Sequence, residues 1–168
     1  TGKKYAFSTN TEIYIYNVET AETSVIDMKG GYDTDPVWSP DGSRIAWISM
    51  ERDGYEADKQ RLMVASVTWD EGSMPVISDI KDITAGFKYN VSGPAWTADS
   101  KGIYFASLAE GLQGMFEAVC DGGEWKIERL TGEDMWYDFG SPFHVAESED
   151  GSRTLYTTWC SMDFPTEL

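Results

Sequence analysis

The chain has 168 residues, 41% hydrophobic and 14% aromatic, enough for a packed globular core. Its 13 Lys and Arg against 29 Asp and Glu give a formal charge of −16, which repels phosphate backbones and anionic membrane surfaces and sets nucleic acid aside as a partner. The longest apolar runs, such as 45–48 and 62–65, fall far short of the roughly 18 residues that a helical membrane span needs, and Cys120 and Cys160 are too few and too far apart for a disulfide framework or a metal site. The two cysteines read as small core residues, with a single bridge between them left open.

Taken in chain order, the sequence predicts strands and turns only. Residues 3–9, 12–18 and 23–29 are β-rich and separated by polar turns. From Tyr32 a pattern begins that occurs three times: YDTDPVWSPDGSRIAWIS, then YNVSGPAWTADSKGIYFAS from Tyr89, then YDFGSPFHVAESEDGSRTLYTT from Tyr137. Each has Tyr before Asp or Asn, a proline, an aromatic slot two residues later, a polar turn and a β-rich run. The slot holds Trp38, Trp96 and His144 in turn. Inside the first copy, Pro40 presets φ for the first central position of a turn, Asp41 can bond nearby backbone, and Gly42 accepts positive φ without steric cost. Two more strands follow in each complete unit, at 61–67 and 79–86 and at 114–120 and 126–132. Both last strands end on Thr and Gly, at Thr84 and Gly86 and at Thr131 and Gly132.

The prolines Pro36, Pro94 and Pro142 lie 58 and 48 residues apart. That spacing suits one four-stranded antiparallel β-propeller blade of about 40–50 residues with loop insertions. The fold class expected is therefore all-β, a partial propeller with blades at 1–31 (incomplete), 32–88, 89–136 and 137–168 (incomplete). The last unit is expected to keep its first strand and a second at 152–158. Open blades at both ends lead to the expectation of an excerpt from a larger ring, whose bare edges are open to pairing with another copy in a crystal, and a homo-oligomer is a separate expectation.

These residues resemble the WD40-like (PD40) propeller repeats found in TolB and in the N-terminal domains of prolyl-oligopeptidase-family serine peptidases. The segment SMERDGYEADKQRLMV, residues 49–64, resembles the stretch after a propeller's second strand in dipeptidyl peptidase IV and acylaminoacyl-peptidase relatives. The resemblance implies a non-catalytic propeller portion that gates and positions peptide substrates for a separate C-terminal α/β-hydrolase domain, in a periplasmic or otherwise extracytoplasmic enzyme. It also implies a Glu-Glu motif that holds a substrate's free amino terminus in the dipeptidyl branch; no Glu-Glu pair occurs here. The second reading is a TolB-like module that binds a protein or ligand and has no enzyme activity. A glycan-active propeller is the third.

No catalytic residue is assigned. The nucleophile-elbow pattern GxSxG is absent, and the lone histidine, His144, fills an aromatic slot and reads as a strand residue rather than a catalytic base. No HExxH, phosphate loop or Cys/His cluster occurs, so neither cofactor nor metal is expected. Glu51, Asp53, Glu56 and Asp58 fall within eight positions, but without the DxDxDG order of a calcium loop they read as a solvated loop. The length of that loop marks Glu51, Arg52 and Asp53 as candidates for contact with substrate or a neighbouring domain. Trp136 and Phe139, in the most aromatic stretch, are candidates for lining a substrate route. The Tyr32–Asp33, Tyr89–Asn90 and Tyr137–Asp138 pairs, and Trp38, Trp47 and Trp96, recur with the repeat and read as architecture.

Overall fold

The computed structural model describes residues 8–28, 30–70, 73–132, 138–139 (backbone), 143–160 and 165. They form strands, turns and loops, with no helix among the described residues. The chain divides into two compact units, residues 1–85 and 86–168.

The first unit holds a hairpin, β1 (Ile13–Tyr16) with β2 (Thr23–Ile26), and a four-stranded antiparallel sheet. That sheet runs in sequence order as β3 (Tyr32–Trp38), β4 (Arg44–Met50), β5 (Arg61–Thr68) and β6 (Val76–Asp82). In β4 every residue after Arg44 is buried, and β5 is nearly as dry, so both read as continuous apolar runs. The outer strand β6 is exposed at five of its seven residues. Ile13, Ile15 and Ile26 of the hairpin pack with Ile45, Trp47, Met63, Ala65 and Val67 of the sheet in one buried cluster. One face of the hairpin thus covers one face of the sheet, as neighbouring propeller blades do.

The second unit repeats the plan with β7 (Ser92–Trp96), β8 (Gly102–Ala109), β9 (Leu112–Asp121) and β10 (Glu124–Arg129), again in sequence order and antiparallel. Two short pairs follow: β12 (His144–Glu147) with β13 (Arg153–Tyr156), and β11 (Asp138–Phe139) with β14 (Trp159–Cys160). Tyr104, Ala106 and Met115 share a core with Phe143, backed by Val145, Leu155 and Trp159. The architecture is that of partial propeller blades, two of them four-stranded.

The repeated sequence features have repeated bonds behind them. At the first turn, Ser39 Oγ donates to Asp41 Oδ1 (2.6 Å) and accepts from the Arg44 amide (2.9 Å). In the second, Thr97 Oγ1 donates to Asp99 Oδ1 (2.6 Å) and accepts from the Gly102 amide (2.9 Å). Asp41, Asp99 and Asp150 each accept the amide two residues on, from Ser43, Lys101 and Ser152. The left-handed position is Gly42 (φ 69°), Ser100 (φ 61°) and Gly151 (φ 81°) in turn. The Thr-Gly endings have a common cause too. Thr84 Oγ1 accepts from the Leu62 amide (2.9 Å), and Thr131 Oγ1 accepts from the Met115 amide (3.2 Å), pinning the chain just after each outer strand to the neighbouring strand.

Several boundaries differ from expectation. The strand expected at 79–86 begins at Val76 and ends at Asp82, because Asp79 takes φ 52° inside it and the Asp82 carboxylate draws in the Thr84 amide (2.8 Å), turning the chain. The strand expected at 126–132 ends at Arg129, and the β11–β14 pair is an addition to the two strands expected in the last unit. The expected strand at 3–9 falls mostly outside the described residues, as do Pro142 and Tyr137. Cys120 and Cys160 are free and half-buried rather than core residues.

Candidate functional site

The loop joining β4 to β5, residues 51–60, is the most elaborated connection in the first unit. Arg52 donates from its backbone amide (2.9 Å) and from Nε (3.0 Å) to Asp58, and its Nη2 makes a third contact with the same carboxylate. The guanidinium lies 4.0 Å from the centre of the Tyr55 ring, a cation–π stack. The Arg52 hydrogen bonds hold the Asp58 carboxyl below its usual range, and the Asp58 carboxylate in turn raises Arg52. A partly exposed pair of this kind adds little to global stability; it fixes the shape of the loop.

The loop is also tied to the strand of chain before β1. Ser8 Oγ donates to both oxygens of Asp53 (2.9 and 3.0 Å), and Thr9 Oγ1 accepts from the Gly54 amide (3.1 Å), with Gly54 in the left-handed region. At its far end Lys59 Nζ donates to the Thr84 carbonyl (2.7 Å). Of the three loop candidates, Arg52 and Asp53 therefore serve the loop itself, while Glu51 reaches solvent along with Tyr55 and Glu56. A held loop that offers one aromatic ring and two carboxylates is suited to contacting a polar or cationic surface. Among the described residues no cluster of three His, Cys, Asp or Glu is placed to hold a metal.

At the start of β3, Asp33 is buried and accepts from Trp47 Nε1 (3.1 Å). Burial raises its carboxyl above the usual value, against the opposing pull of Ser49 and Trp47. The recurring Tyr–Asp pair is thus architectural in the first unit. In the second, the Asn90 carbonyl accepts from Ser107 Oγ (2.7 Å) and Tyr89 OH meets Glu110 (3.5 Å).

The tryptophans divide in a way the repeat did not show. Trp47 is fully buried, as expected, but Trp38 is 41% exposed and Trp96 half-buried. Trp38 sits at the end of β3, where it pairs with Trp69 across the blade's end (ring centroids 5.6 Å apart), and Trp69 Nε1 donates to the Gly42 carbonyl (2.8 Å). Trp96 pairs with Trp125 likewise (6.4 Å). Trp38 and Trp69 border a groove of about 440 Å³ between the hairpin and the sheet, lined also by Tyr14, Tyr16, Glu19, Pro36 and Pro75.

In the second unit a charge is buried. Arg153 Nη1 donates to both oxygens of Glu117 (2.7 Å each) and to Tyr104 OH (2.9 Å), and Tyr104 OH donates to Glu147 (3.3 Å). Glu117 is 7% exposed, so this clasp from β13 compensates a carboxylate held in the core. Desolvation raises the Tyr104 hydroxyl, and Glu117 raises Arg153. The clasp adjoins a cavity of about 400 Å³ lined by Met115, Leu130, Val145 and Leu155. His144 is exposed on β12. Trp136 lies outside the described residues, and Phe139 is described only as a backbone member of β11. The groove and the clasp escaped sequence reasoning. The Ile-Tyr-Ile-Tyr alternation of β1 signals only which face packs on the sheet: Ile13 and Ile15 do, and Tyr14 and Tyr16 lie on the opposite face.

No protein-family model matches the chain. It is 42% identical over 141 residues to Dipeptidyl-peptidase 5 of Porphyromonas gingivalis, an alignment that covers 83% of this chain and 19% of that protein. It is 49% identical over 65 residues to Dipeptidyl-peptidase 5 of Porphyromonas endodontalis, covering 38% of this chain and 9% of that protein. The chain thus spans about a fifth of the length of the first relative, and its sequence is related to that part of a dipeptidyl peptidase.

Proposed function

We propose that this chain is the propeller portion of a serine exopeptidase of the dipeptidyl aminopeptidase type, which admits short peptides and positions them for a separate C-terminal α/β-hydrolase domain of the same protein. The observation that carries this reading is the 42% identity to a dipeptidyl peptidase over 83% of a chain built from propeller blades. The chemistry is consistent with a division of labour. The chain has no GxSxG, and its one histidine is on a strand with its side chain in solvent, so the nucleophile and base must come from elsewhere.

In this role the blades supply walls and the 51–60 loop supplies contacts. Glu51, Tyr55 and Glu56 face outward from a loop held by Arg52–Asp58 and by Asp53–Ser8. A carboxylate-bearing loop of that kind suits either the hydrolase domain or a peptide. Trp136 and Phe139 are retained as candidates for lining the substrate route. The parent enzyme acts in the periplasm or another extracytoplasmic space, and no cofactor enters the reaction.

The test is labelling with a fluorophosphonate serine-hydrolase probe. The full-length protein should label and the 168-residue chain should not. Labelling of the 168-residue chain alone would overturn the division of labour. A folded full-length protein that does not label would favour the second reading, a TolB-like binding module.

A further inference from the structure

The groove in the first unit has features that blade architecture does not require. The Trp38–Trp69 pair has a counterpart in Trp96–Trp125, so pairing across the blade's end belongs to the repeat. Exposure does not. Trp96 and Trp125 are both half-buried, whereas Trp38 and Trp69 are 41% and 57% exposed and look onto a groove of about 440 Å³. Trp69 is also held in place: its indole N–H is committed to the Gly42 carbonyl at 2.8 Å, which fixes the ring plane before any ligand arrives. A rigid, exposed indole costs little entropy to engage.

The charge of the lining is one-sided. Among the described residues that line the groove, Glu19 is the one that carries a charge and none is lysine or arginine. The chain as a whole carries −16, so its field draws cations and turns anions away. Aromatic faces carry negative potential at their centres and attract ammonium and guanidinium groups, most strongly at Trp. Aromatic-lined grooves also accept extended peptides, whose stiff backbones lose little freedom on docking.

We infer that this groove binds an extended peptide segment carrying Lys or Arg, with the cationic side chain against the Trp38–Trp69 pair and within reach of the Glu19 carboxylate. The described residues that line this site all lie between 13 and 75, and the inference does not depend on the peptidase reading.

The test uses the full-length protein labelled with fluorotryptophan. The Trp38 and Trp69 fluorine resonances are assigned from Trp38→Phe and Trp69→Phe variants. The probes are an acetylated Lys-Pro-Lys peptide amide, blocked so that an amino-terminal peptidase cannot consume it, and its Glu-Pro-Glu counterpart. The cationic peptide should shift both resonances saturably, and the anionic one should leave them in place. Trp69→Ala should weaken binding at least fivefold, and Glu19→Gln, on an exposed turn where folding is not at stake, at least twofold. Equal response to both peptides, or no response to either, would overturn the inference. None of these outcomes depends on probe labelling at a catalytic serine, so the two proposals fail separately.

Discussion

Trp38 and Trp47 flank the same turn and invite the same reading, yet their substitutions should differ by a wide margin. Trp47 is fully buried in a cluster with Ile13, Ile45 and Met63, and its indole N–H satisfies the buried Asp33 carboxylate. Trp47→Ala opens a large cavity, which costs about 3–5 kcal/mol, and takes one hydrogen bond from the buried Asp33 carboxylate, for a total near the top of that range. Trp38 keeps 41% of its surface in water and loses only part of a transfer term, about 1–2 kcal/mol for Trp38→Ala. Equilibrium urea denaturation followed by circular dichroism separates the two. With a slope of about 2 kcal/mol per molar urea, Trp47→Ala should lower the midpoint by about 2 M and Trp38→Ala by less than about 1 M. Equal shifts would refute the assignment of the two rings to core and rim.

Three further outcomes follow from single bonds. Thr84→Val removes the acceptor for the Leu62 amide, and Thr131→Val the acceptor for the Met115 amide; each should cost about 1–3 kcal/mol in the same assay, and a neutral result would deny the hydroxyl its part in closing the blade. Arg153→Met strands the Glu117 carboxylate at 7% exposure and should cost about 3 kcal/mol, with much of the loss recovered in Arg153→Met/Glu117→Gln; a double variant no better than the single would contradict the clasp. The hydrogen bond from Ser39, aided by Ser43, holds the Asp41 carboxyl at about 2, below its ordinary 3.8. A lowered value adds stability that is complete above the unfolded value and is lost as pH falls from about 4 toward 2. Because Asp41 is well hydrated, the effect should be about 1 kcal/mol, and Asp41→Asn should flatten the acid limb of stability against pH by that amount. Asp33, raised by burial, has the opposite sign, so Asp33→Asn should not flatten that limb.

What the sequence revealed were features that recur and act locally. The Ser-Pro-Asp-Gly turn was legible because its bonds join residues two to five apart, as with Ser39 to Asp41 and Arg44. The Thr-Gly endings were legible as a coincidence between two units, though their reason, a bond to a strand 16 or 22 residues away, was not. The exposure of Trp38 was hidden because a slot in a repeat fixes a residue's register and not what its neighbours cover. Asp79 hid the start of β6, since nothing in its surroundings announces a positive φ within a strand. The clasp joins residues 36 and 49 positions apart, and β14 is two residues long, too short for any periodicity to show. In the 51–60 loop the carboxylates were visible as a cluster, but the division between those that hold the loop and those that face outward depends on Ser8 and Thr9, some 45 positions earlier.

In the proposed function these blades serve an enzyme that removes dipeptides from free amino termini. Mass spectrometry of the products made by the full-length protein from a decapeptide, and from the same decapeptide acetylated at its amino terminus, tests it most directly. Successive release of dipeptides is expected from the free peptide and none from the acetylated one. Intact peptide in both reactions, or cleavage that ignores the acetyl group, would contradict it.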